Sequence, residues 1–204
     1  VVLLAIMIFR FRAHHPFAFL AITLGIFGTA SACGSLTDHK ASFENTTDTV
    51  TVYALNGTPV STPAGLSLIG RSAVVVNSAF GFDVAFDIDA QGQTTMYTVR
   101  YVAGGLSGAH TVALQKSTGK FDDLLKAPTT GYVSDSLLVA KVGDVFALSS
   151  ADPLACAYSI YSNVIYAKLE ILDIDPVART VRTRFTVDPN CGFLSLIPSG
   201  IPKD

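Results

Sequence analysis

Residues 163–188, NVIYAKLEILDIDPVARTVRTRFTVD, decide the fold class of this 204-residue chain. Two runs rich in β-branched and aromatic residues, 163–173 and 179–188, flank Asp175-Pro176-Val177-Ala178. Asp at the head of a tight turn and Pro with its φ preset read as a reversal. In the returning run Val181, Thr183, Phe185 and Val187 alternate with Arg182 and Arg184, a period of two that puts one set on a buried face and the other outside. This is a β-hairpin, with Arg179, Arg182 and Arg184 as a basic ridge facing Lys168 and Glu170 across the strands.

The same signature continues upstream. Val50, Val52 and Ala54 alternate before a break at Asn56-Gly57-Thr58-Pro59. The run 71–76 (RSAVVV) predicts a strand buried on both faces. Residues 81–88 (GFDVAFDI) predict one with Phe82, Val84, Phe86 and Ile88 inward and Asp83, Ala85 and Asp87 outward. A turn at 89–92 leads to the hairpin partner 94–102, and 109–114, 136–141 and 144–149 add strands, the last two paired through Val142-Gly143. Phe121 to Lys126 predicts a single helical turn, and no segment carries a sustained 3.6-residue pattern. About ten strands in some 140 residues predict an all-β fold, an antiparallel β-sandwich over residues 50–204.

The first 49 residues have a different character. Arg10 and Arg12 precede an uncharged apolar run, 16–29, and the small residues Ala30-Ser31-Ala32 stand before Cys33. Basic, apolar and small-residue regions in that order predict a signal peptide over residues 1–32, with Met7 as a candidate start. The run is short for a membrane-spanning helix, which needs about 20 apolar residues. Ala30-Ser31-Ala32 suits ordinary signal peptidase, and with Cys33 it resembles a bacterial lipobox, in which the cysteine is acylated and becomes the N-terminus. The lipobox reading makes Cys33 a lipidation site. Two or three acyl chains hold a protein on a bilayer where one does not. Gly34, in place of an aspartate at that position, favours the outer membrane, so the expected location is the bacterial cell envelope. Residues 34–49 are polar and aperiodic and predict a flexible tether reaching about 20 Å.

The chain has three cysteines. An odd count in an exported protein asks for an account. With Cys33 lipidated, Cys156 and Cys191 remain to form a disulfide in an oxidising compartment. Removing residues 1–32 leaves 12 basic against 16 acidic residues, with no basic run, which argues against a nucleic-acid partner. Tryptophan is absent, which weakens any sugar-stacking platform.

Candidate chemistry is sparse. Asp87 and Asp89, with Gly92, match the opening of a calcium loop, but Thr98 stands where the closing acid belongs, and a hairpin turn accounts for them. Asp173 and Asp175 bracket the final turn and could serve as a carboxylate pair. Ser107 lies in Gly104-Gly105-Leu106-Ser107-Gly108 near His110, without the G-x-S-x-G of a nucleophile elbow. His110 is expected to face solvent or a neighbouring strand. No H-x-H or H-E-x-x-H spacing occurs. The composite expectation is a non-enzymatic module, tethered to the membrane through its N-terminal lipid, that binds a protein or small molecule or serves a structural role. An envelope hydrolase using Ser107, Asp173 or Asp175 is an alternative.

Residues 85–89 (AFDID), 130–133 (TGYV), 166–172 (YAKLEIL) and 188–192 (DPNCG) together resemble a group of bacterial envelope lipoproteins. The 166–172 strand and its return strand are also similar to haem-scavenging lipoproteins of the HmuY type, which are all-β. That resemblance implies haem as a cofactor, held through two histidines or methionines. His110 and Met96 would be the ligand-binding residues here.

Overall fold

A computed structural model describes residues 40–203. The signal peptide, Cys33 and the first part of the expected tether, residues 34–39, lie outside them. Among these residues eleven strands form two antiparallel sheets packed as a β-sandwich. They are β1 (Thr46–Tyr53), β2 (Gly65–Ser67), β3 (Ser72–Val74), β4 (Val84–Ile88), β5 (Thr94–Thr98), β6 (Val112–Lys116), β7 (Val133–Ser134), β8 (Leu137–Ala140), β9 (Val145–Ser150), β10 (Ile165–Asp175) and β11 (Thr180–Asp188). One sheet runs β1-β11-β10-β9-β6-β7 and the other β3-β2-β4-β5-β8.

The β10–β11 hairpin is where the alternation placed it, with Leu169 opposite Phe185 and Glu170 opposite Arg184. The register shifts between Ile171 and Asp173, so a bulge precedes the turn. Ile165, Ala167 and Leu169 of β10, Val181, Phe185 and Val187 of β11, and Phe146 and Leu148 of β9 point into the space between the sheets. Leu66, Val84, Phe86, Ile88 and Met96 meet them from the other side. Each large side chain so buried contributes about 1.5–3 kcal/mol.

Several boundaries differ from expectation. β1 starts at Thr46, so the polar stretch up to Thr49 is not all tether. The Asn190 carboxamide oxygen accepts from the Ser42 and Phe43 amides at 2.8 and 2.9 Å, ordering the chain before the strand. The 71–76 run yields only β3, a three-residue edge strand whose residues are partly or fully exposed, because an apolar run alone does not tell an edge from a centre. The 94–102 run ends as a strand at Thr98, and Val99–Val102 form a one-turn helix, α1, that stops ahead of Gly104 and Gly105, both at positive φ. β8 and β9 do not pair. β8 lies against β5 and β9 between β10 and β6, so the Val142-Gly143 turn carries the chain from one sheet to the other. The expected helical turn appears as a 3₁₀ turn, η1 (Phe121–Asp123).

The outer face of the larger sheet is covered too. Lys168 sits on the side of β10 opposite Ala167 and Leu169, yet it is fully buried. Its ammonium donates to the carbonyls of Phe121 and Leu124 at 2.9 and 3.0 Å and lies 4.5 Å from the centre of the Phe121 ring. Arg184 stacks on the same ring at 4.1 Å and donates twice to Glu170, at 3.0 and 2.7 Å. The segment after η1 pairs with the C-terminal segment, through Ala127 N–H to the Leu194 carbonyl and Leu196 N–H to the Leu125 carbonyl. Lys168 therefore clamps a covering layer rather than pairing with the arginine ridge. Burial lowers its pKa, Arg184 lowers it further, and Asp122 opposes both.

Candidate functional site

A buried polar cluster gathers at one end of the sandwich. β4 begins there just after Asp83, β6 just after His110 and Thr111, and β9 ends there at Ser150. Asp83 is almost fully buried although the alternation of its strand placed it outside. Its Oδ2 accepts the Leu68 amide at 2.7 Å, and its Oδ1 accepts the Ser150 hydroxyl at 2.5 Å and pairs with His110 Nε2 at 3.0 Å. The main chain fixes the residue further, with Asp83 N–H donating to Leu66 and Val99 N–H donating to Asp83. One carboxylate thus ties β2 and β4 of the smaller sheet to β6 and β9 of the larger. Satisfying a buried carboxylate this fully is what makes its burial tolerable.

His110 is turned inward, its side chain only 8% exposed, rather than toward solvent. Burial pulls its pKa down, but the hydrogen bond and charge of Asp83, with a smaller contribution from Asp152, outweigh that and raise it above the ordinary value. Asp152 stands two residues beyond β9, and its Oδ1 accepts the amides of Leu154 and Ala155.

The arrangement differs from a hydrolytic triad in the order of its members. There the imidazole stands between serine and carboxylate and takes the serine proton. Here the carboxylate stands in the middle, so Ser150, itself fully buried, directs its proton at Asp83 and not at the imidazole. Ligating atoms of Asp83, His110 and Asp152 lie within 4.8 Å of one another, which is compatible in spacing with a cation. The imidazole nitrogen facing Asp83 shares a proton with it, and its raised pKa favours keeping that proton where a cation would have to enter. The geometry is that of an inter-sheet clasp.

The residues singled out from sequence are placed apart. Asp87 accepts the Asn56 amide and carboxamide at 3.1 and 2.6 Å and Arg179 at 3.3 Å, while Asp89 Oδ1 accepts the amides of Gln91 and Gln93 and closes the β4–β5 turn. Arg179 also donates to the carbonyls of Asn56 and Ile88, and approaches so near that a Cβ on Gly57 would stand 2.6 Å from its Nε. Gly57 has φ +74° and could hardly be another residue. Asp175 Oδ1 accepts the Val177 and Ala178 amides within the turn, Asp173 is exposed opposite Arg182, and Ser107 lies in the exposed loop after α1. Met96 is wholly buried between Phe86 and Leu138 in the sandwich core, whereas His110 belongs to the clasp. The Met96 sulfur meets a ligand only if the core opens. Cys156 and Cys191 form a disulfide with their Cα atoms 5.8 Å apart.

Comparison with protein-family models, curated proteins and solved structures finds no match.

Proposed function

We propose that this chain is a lipid-anchored, non-enzymatic module of the bacterial cell envelope, exported and acylated at Cys33, with the outer membrane as its location. The observation that carries the reading is the cysteine arrangement. Cys156 and Cys191 are joined, which suits an oxidising compartment, and Cys33 is left as the single unassigned cysteine, directly behind a small-residue triplet and an apolar run. The clasp supports the non-enzymatic part. Its carboxylate is spent on holding two sheets together, and its serine is fully buried with its proton directed at that carboxylate. Asp87, Asp89 and Asp175 are spent likewise on turns.

The test is metabolic labelling with a radioactive fatty acid in a bacterial host. Wild-type protein should take up label and sediment with membranes, and Cys33→Ser should lose the label and appear in the soluble fraction. A wild-type chain that takes no label, or a variant that stays labelled, overturns the reading.

A further inference from the structure

The loop that carries Cys156 departs from the rest of the surface. From Pro153 to Val164 (PLACAYSIYSNV) it contains no charged residue. Its apolar side chains nevertheless point outward, with Leu154 85%, Tyr158 100% and Ile160 87% exposed. Beside it lies a groove of about 490 Å³ whose lining is mostly apolar, Phe43, Ile69, Leu154 and Val187 among it, with Glu44 and Arg71 as its charged members. An exposed apolar surface of this kind marks a contact with something. Tyrosines with aliphatic neighbours and no charge match what settles at the boundary between lipid headgroups and acyl chains.

Its position in the fold says which contact. The loop leaves β9 at Ser150 and re-enters β10 at Ile165, and these residues are paired, so the loop caps one end of the sandwich. The N-terminal segment arrives at that same end. Ser42 and Phe43 are hydrogen-bonded to Asn190, whose neighbour Cys191 is the disulfide partner of Cys156. Phe43, 64% exposed, also lines the groove. Six residues lie between Cys33 and Lys40, so the two are seven chain steps apart and cannot be more than about 25 Å from each other even fully extended. A lipid on Cys33 keeps this end of the domain at the bilayer, at an effective concentration that makes a weak contact form.

We propose that the Pro153–Val164 loop, together with Phe43, docks on the bilayer to which Cys33 is anchored, seating Leu154, Tyr158 and Ile160 at the headgroup boundary. The disulfide ties the loop to the segment beside the anchor, so that both face the membrane together. The proposal rests on the lipid-anchor reading.

The chain contains no tryptophan, so a single introduced indole reports its own surroundings. Tyr158→Trp places one in the loop. Val177→Trp places one at a 93% exposed turn at the far end of the β10–β11 hairpin. The full acylated chain would be put into vesicles of phosphatidylethanolamine and phosphatidylglycerol with brominated acyl chains. The indole at 158 should emit to the blue and be quenched, and that at 177 should stay water-like. Adding Leu154→Ser and Ile160→Ser to Tyr158→Trp should weaken the docking equilibrium at least about tenfold.

Partition of the same sample into a detergent-rich phase reads the anchor separately. A sample that partitions there while position 158 stays water-like overturns the docking and leaves the anchor standing. One that remains aqueous removes the anchor and the docking with it. A blue shift without vesicles that grows with protein concentration would seat a second copy on the loop and overturn the assignment to lipid.

Discussion

Replacing Asp83 by asparagine takes one negative charge and one acceptor from the centre of the inter-sheet clasp while changing side-chain volume very little. The carboxylate accepts at Oδ2 from Leu68 and at Oδ1 from Ser150 and His110, and a carboxamide can copy only part of that. If its oxygen faces Ser150 and His110, its NH₂ confronts the Leu68 amide, donor against donor. If it flips, the Ser150 and His110 donors lose their acceptor. Either way at least one buried donor is orphaned, at a cost of about 1–3 kcal/mol.

Where the imidazole is protonated, the loss of its counter-charge brings the total to about 3–5 kcal/mol. The pH dependence follows from the direction of the shift. His110 has its folded pKa raised above the unfolded value near 6.5, so its stabilisation is fully present below that value and is lost as pH rises through the folded pKa. The D83N penalty should therefore be larger at pH 5.5 than at pH 9. In a domain of this size it should appear as a fall in Tm of about 10 °C at the lower pH. Urea unfolding of both proteins at the two pH values measures it. A D83N protein within about 0.5 kcal/mol of wild type at pH 5.5, or a penalty that grows with pH, would refute the clasp.

Further outcomes follow from the same packing. Cys156→Ser with Cys191→Ser opens a 35-residue loop and should cost about 3–4 kcal/mol in denaturant unfolding under oxidising conditions, with no difference from wild type once reductant is present. Lys168→Met keeps the stem of the side chain but leaves the Phe121 and Leu124 carbonyls without their donor. It should cost about 1–3 kcal/mol and raise hydrogen exchange in residues 121–127 before the strands respond.

The hairpins were legible because their alternation is strict and their turns carry Asp, Pro and Gly: β4 with β5, and β10 with β11, stand where Phe86, Met96, Leu169 and Phe185 placed them. Sheet assignment was not, since the turn at Val142-Gly143 looks alike whether it closes a hairpin or carries the chain to the other sheet. Lys168 read as a solvent-facing partner of the ridge, because nothing local to YAKLEIL announces that Phe121 and the C-terminal segment cover that face. Asp83 failed for a related reason. Its strand's period assigned it outward, and its partners His110 and Ser150 lie 27 and 67 residues away, a separation at which no spacing rule operates. A lone Asp amid Phe82, Val84 and Phe86 was the available signal, since a charge in such company must be paired or exposed. The Cys156–Cys191 disulfide was legible because only one intramolecular pair remained once Cys33 was set aside.

Acylation at Cys33 is read out by the intact mass of the protein extracted from bacterial membranes. The expected mass is that of a chain that begins at Cys33, carries diacylglyceryl or fully acylated cysteine, and is two hydrogens lighter than its reduced form because Cys156 and Cys191 are joined. A mass that retains residues preceding Cys33, or that shows Cys33 without acyl chains, would contradict it.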